Sequence, residues 1–271
     1  MTAIQNNPII NMSYLYKYGF VISNSPDTIN TKLLISAGQC RDSNNVMDIT
    51  LGFANVEGVI NPVTGVEGLV LNAATVGANG LDTGVLEANT MYAIYAIADS
   101  RYYLGTAVIA TKASNSAPSL PAGYDSMRLI GFWATQSANA LFELGSYSNY
   151  GSNMTFMYLD ERPVLSLGTS TSYAYVNLVN VVPPTANQFA IINSIYKPAN
   201  PGANLLLAPG SGINHASSVI TGQVSNVNVT SSTFVLVQPH NITGAIVPAI
   251  LYAVGVGDTA SLSVSGFNVQ L

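Results

Sequence analysis

The chain has 271 residues, only 8% of them charged, a net charge of −5 at pH 7 and a single cysteine. About a quarter charged is usual; here Ser, Thr, Asn and Gly supply the polarity, and neither basic runs nor basic–aromatic interleaving offers a nucleic acid a footprint. Cys40 alone excludes an intrachain disulfide framework, and the absence of any apolar run near the ~20 residues of a membrane helix argues against membrane insertion.

In chain order, residues 1–12 are polar and irregular, with Asn6, Asn7 and Pro8. They read as an arm that needs something to hold it, since free termini are usually disordered. No basic segment followed by an apolar one marks a secretory signal, so the chain is expected to be soluble and not exported by that route. Residues 13–21 are aromatic-rich and strand-like, and Pro26 closes a turn. Strands are expected at 32–37 and 46–51 around the loop 38–45. In the second, Met47, Ile49 and Leu51 alternate with Asp48 and Thr50, the pattern of a strand with one buried face. A Gly- and Val-rich stretch, 53–71, turns at Asn61-Pro62. Residues 77–84 then hold Gly77, Gly80 and Gly84, a tight loop with left-handed positions expected.

Residues 90–133 are the centre of the first half. Residues 91–98 are apolar without a charged interruption, as in a strand buried on both faces. Asp99-Ser100-Arg101 breaks the run, 105–110 returns as a second strand, Pro118 and Pro121 delimit a loop, and 127–133 forms a third strand with the only Trp. Three such strands in succession predict a meander. The Gly/Ser/Tyr segment 145–151 predicts a division into two domains, 1–150 with its arm and 151–271. In the second, strands are expected at 155–159, 164–167, 173–179, 188–196, 204–207, 218–224, 233–237, 249–255 and 260–271, with Pro183-Pro184 as a hard stop. Leu262 and Val264 are out of phase with Phe267, Val269 and Leu271, which a bulge near Gly266 reconciles. Helical periodicity is missing throughout. The expected fold is all-β with minimal helix: two β-sandwich or jelly-roll-like domains.

Motifs that carry chemistry are mostly missing from the sequence. His215 and His240 are far apart, with no cysteine or other histidine nearby to complete a zinc site. Asp42-Ser43-Asn44 matches the start of a calcium loop but lacks its later Gly and Glu. Gly210-Ser211-Gly212 is neither a nucleophile elbow nor a phosphate loop. Asp160-Glu161 reads as a solvated pair in a linker. No catalytic residue, cofactor or metal is expected, and the chain is not read as an enzyme. Arg41, Asp42, Asp82, Asp99, Arg101, Asp125 and Arg128 sit in or beside tight loops, where carboxylates can accept backbone N–H bonds and arginines can pair with them. Among fifteen tyrosines, Tyr102, Tyr103, Tyr147 and Tyr150 are candidates to face a ligand, such as a host-surface glycan; the alternative is ordinary packing.

Charge is uneven. Residues 163–271 hold two formal charges, Lys197 and Asp258, against nineteen in the first 162 residues. Charge depletion characterises interface cores, and such a surface is poorly protected against self-association. Oligomerisation through the second domain is the expectation, with the C-terminal strand 261–271 covered so that it is not a free edge.

Residues 38–44 (GQCRDSN), 77–84 (GANGLDTG), 92–100 and 120–133 (LPAGYDSMRLIGFW) resemble, in order and spacing, a poorly characterised group of tailed-bacteriophage virion proteins labelled tail-fibre or structural. Residues 176–178, leading to 182–186 (VPPTA), are similar to the C-terminal part of that group, so the resemblance covers most of the chain beyond residue 20. Cys40 departs from the apolar or small residue usual beside the Arg-Asp-Ser loop. The resemblance implies a virion location and partnership with other virion proteins or with copies of itself. A trimer is the commonest form among such fibre proteins. No catalytic residue is carried over.

Overall fold

The computed structural model describes residues 17–26, 30–51, 68–101, 105–150, 153–185, 188–210, 218–242 and 245–271. The expected N-terminal arm, most of the 53–71 stretch, Tyr102, Tyr103 and His215 lie outside them.

The fold is all-β and sandwich-like, and the described residues contain no helix. The first half contributes β1 (Lys17–Gly19), β2 (Ile22–Asn24), β3 (Lys32–Ser36), β4 (Gly38–Arg41), β5 (Asp48–Leu51), β6 (Gly68–Asn72), β7 (Gly80–Leu81), β8 (Met91–Ala98), β9 (Thr106–Lys112) and β10 (Ser126–Ala134). After these come β11 (Gly145–Tyr150), β12 (Asn153–Gly168), β13 (Ala174–Asn177), β14 (Gln188–Lys197), β15 (Asn204–Pro209), β16 (Ser218–Thr221), β17 (Val229–Ile242), β18 (Ala245–Ala253) and β19 (Thr259–Gln270).

Two three-stranded sheets, ordered β1-β4-β5 and β2-β3-β6, are joined at a corner. There Phe20 N–H donates to the Ala37 carbonyl and Ser36 N–H to that of Val21, so one hairpin bends from the first sheet into the second. Gly19 makes the bend possible. Its φ is +70°, and a Cβ there would lie 2.2 Å from the Ala37 oxygen. The turns on either side of β7 behave as their glycines suggest, with Gly77, Asn79 and Gly84 all at positive φ.

All eight residues of β8 are buried. The sheet order is β10-β8-β9-β7, so β8 is central and β10 pairs with β8, not with β9. The expected meander is therefore corrected. The Pro-containing connection 113–125 is too long for a tight hairpin and carries the chain back to the free edge of β8.

The second half forms one nine-stranded sheet ordered β11-β12-β19-β14-β17-β18-β15-β16, with β13 also pairing β18. Segment 145–151, expected as a division, is largely β11, the edge strand of this sheet. β19 lies between β12 and β14, so the C-terminal strand is covered by its own chain. The anticipated bulge is present. Gly266 pairs with Ile191 and Val264 with Ile192, which leaves Ser265 as the extra residue. Strands expected separately at 155–159 and 164–167 are one continuous β12. Its Pro163 is tolerated because the register with β19 shifts on both sides of it.

The two halves share one continuous apolar core. At their junction Trp133 meets Phe156 edge-on at 4.8 Å, and Phe156 stacks on Phe267 at 5.3 Å. Trp133 Nε1 donates to the Glu143 carbonyl at 2.9 Å, giving its one polar atom a partner.

Candidate functional site

The charged loop residues of the first half bond to neighbouring backbone and to one another. Asp42 is buried, and its Oδ1 accepts the Val46 and Met47 N–H groups at 2.6 and 2.9 Å. Arg41 pairs with Asp48 at 3.0 Å and also donates to the Asn45 and Val46 carbonyls. Asp82 accepts the N–H groups of Thr83 and Ser119. The buried Asp99 carboxylate accepts both the backbone N–H of Arg101 (2.9 Å) and its Nε (3.1 Å). Asp125 accepts the backbone N–H and hydroxyl of Ser100, and the hydroxyl bond above all holds its carboxyl below the usual range.

Arg128 is buried near Lys17 and Cys40. Lys17 itself, which nothing in the sequence singles out, donates from Nζ to the Ile130 carbonyl at 2.9 Å and to Tyr147 Oη at 3.1 Å. Tyr147 in turn donates to the same carbonyl at 2.9 Å. Its ring is half-buried against the core and its hydroxyl is engaged inside the fold. Tyr150 lies at the end of β11, and Tyr102 and Tyr103 fall outside the described residues. The ion-pair candidates thus cluster around the small sheets and the ends of β8 and β10. Among the described residues, no three His, Cys, Asp or Glu side chains are placed to hold a metal ion.

The larger sheet presents a different kind of surface. Side chains alternate along its strands. On β14, Ala190, Ile192, Ser194 and Tyr196 face the core, so Phe189, Ile191, Asn193 and Ile195 face outward. On β17, Val235 and Val237 face the core and Phe234 and Leu236 face outward, opposite Ile191 and Phe189. Phe234 is 62% exposed, Ile195 49% and Phe189 42%.

Toward the other end of the same face lies a groove of about 640 Å³, lined by Glu161, Pro163, Asn193, Ile195, Ser232 and Ser263 among others. Glu161 Oε1 accepts from Asn193 Nδ2 at 2.5 Å, and its Oε2 accepts from the Ser263 hydroxyl. With both oxygens engaged, the carboxylate is held in place, and no histidine or cysteine lines the groove beside it. The face offers apolar contact at its phenylalanine end and hydroxyl contact at its serine end.

A reading by motif and charge misses Phe189, Ile195 and Phe234. The signal that could find them is that residues 188–196 and 233–237 are apolar in both alternation phases, more than a sheet with one solvated face requires.

No family model matches the chain, and no curated protein does. Among solved structures, one titled as the structure of infectious bursal disease virus Gx strain aligns over 94% of this chain and 70% of that one, at 13% identity and a TM-score of 0.20. At that score the alignment carries no argument about fold or role.

Proposed function

We propose that the chain is a structural subunit of a tailed-phage virion, a fibre, collar or capsid-decorating protein that acts by assembly and surface display. The observation that carries this reading is the surface of the nine-stranded sheet. Residues 163–271 hold two formal charges; Asp258 is buried, accepting from Tyr196 Oη and from the Ala199 and Gly255 N–H groups, which leaves Lys197 as the exposed one. With Asp160 and Glu161 of β12 as its other exposed charges, a surface so sparsely charged and carrying several exposed large apolar side chains is suited to burial in an assembly. The sequence resemblance to phage virion proteins supports the same reading and supplies its particle. Its partners are copies of itself and other virion proteins.

Quantitative mass spectrometry of purified particles tests this. The expected result is a fixed number of copies per particle. Absence from particles overturns the reading, and specific binding of a host-surface glycan by a chain absent from particles would replace it with a receptor-binding one.

A further inference from the structure

We propose that the outer face of β14 and β17 is the surface on which a second copy of this chain docks, face to face, a proposal that rests on the reading of the protein as an assembly subunit. The face carries both halves of a self-complementary contact. Phe234 and Phe189 stand out from it, 62% and 42% exposed. Within a few residues along the same strands, the groove beside Asn193, Ile195 and Ser232 recedes from it, with Pro163 and Leu165 giving it apolar walls. A twofold axis between projection and groove places Phe234 of each copy in the groove of the other. A closed, isologous contact requires this pairing of features on one surface.

Extent and charge agree with that occupant. β14 and β17 run in register over nine residue pairs, and four strands, β12, β19, β14 and β17, lie side by side. At ~3.3 Å per residue and ~4.8 Å per strand, the face measures roughly 30 by 19 Å, so pairing two of them buries on the order of 1,000 Å², the lower bound for a specific interface. Its charges are Glu161, already bonded to Asn193 and Ser263, and Lys197 at the far end of β14. A strongly acidic or basic partner would find nothing to match. A second face with the same sparse charge and the same relief satisfies both ends.

Sedimentation velocity of the full 28.4 kDa chain at micromolar concentrations is the test, with far-UV circular dichroism and thermal melting confirming that each variant is folded. The wild type is expected to sediment as an oligomer. Phe234→Lys, which charges the projection, and Ser232→Arg, which fills the groove, are each expected to weaken association by at least about tenfold. Val85→Lys, at an exposed loop position in the first half, is expected to leave it unchanged. Phe234→Ser is the milder variant should Phe234→Lys not fold, and Ser232→Arg is independent of both. A monomeric wild type overturns the proposal, and so do variants that both associate normally; glycan binding at this face by a monomeric wild type reassigns it. A monomer still present in many copies per particle would remove this interface and leave the virion role standing, whereas an oligomer absent from particles would do the reverse.

Discussion

Lys17 has its ammonium nitrogen bonded to the Ile130 carbonyl and Tyr147 Oη, and it lies opposite Cys40 in the β1–β4 register. Burial lowers its pKa to about 7; the Cys40 thiol acts in the opposite sense, and the charge of Arg128 lowers it further. Burial likewise pushes Cys40 up to about 12. Between pH 7 and the ordinary lysine value near 10.4, the unfolded chain binds a proton that the folded chain has released, so stability rises with pH. Above the ordinary cysteine value near 8.5, the unfolded chain has released a proton that folded Cys40 retains, which lowers stability as pH rises. The two nearly cancel from there upward. Unfolding free energy measured in urea is therefore expected to climb from pH 7 to about 8.5 and then flatten. Lys17→Met should abolish the climb, and Cys40→Ala should extend it toward pH 10; a flat wild-type profile would contradict the assignment. Asp42 makes a second residue-scale prediction. Asp42→Ala strands the Val46 and Met47 N–H groups and should cost about 2 kcal/mol, whereas Asp42→Asn keeps an acceptor at Oδ1 and should cost clearly less in the same urea titrations.

β12 holds the contact that ties the larger sheet to the β10–β11 connection. Arg162, turned inward, donates from Nη1 to Glu143 Oε1 and the Thr135 carbonyl, and from Nη2 to Asn89 Oδ1 at 3.1 Å. Arg162→Met leaves Glu143 in a largely buried site without its cation, and a loss of about 3–5 kcal/mol is expected. The double variant Arg162→Met, Glu143→Gln should recover a substantial part, as read by urea denaturation; equal losses in the single and double variants would mean that the ion pair is not what holds this junction. The same strand shows where sequence reasoning stops. Asp160-Glu161-Arg162 looks like a charged break between two short strands, because the partners that make Arg162 an interior residue lie far away in the chain at Glu143, Thr135 and Asn89. β8 and the Ser265 bulge were legible because each is written in local alternation or continuous apolarity. The order of β10 relative to β9 was not, since strand pairing is decided by how a long loop crosses the sheet. At the candidate surface the charge deficit was visible, but locating the face required the register that puts Phe234 opposite Ile191.

At the scale of the molecule, the small sheets of the first half and the single large sheet of the second are two systems of strands built on one core. Trp133, from β10, packs edge-on against Phe156 of β12, which stacks on Phe267 of β19. Separating the halves would expose this aromatic cluster and break the Arg162–Glu143 contact at once. Large aromatic side chains each contribute on the order of 2–3 kcal/mol when buried, and a small domain has only about 5–15 kcal/mol in total. Losing its side of the junction would therefore take a substantial share of either half's stability. The chain is therefore expected to unfold in one cooperative transition. Trp133, the only tryptophan, reports on the junction by fluorescence, while far-UV circular dichroism reports on strands throughout. The two signals should share one midpoint in urea at pH 7. Fragment 151–271 expressed alone should show neither a cooperative melt nor native strand content. Two separated transitions, or a stably folded fragment, would instead show that the halves are independent domains and that their shared core is only a contact.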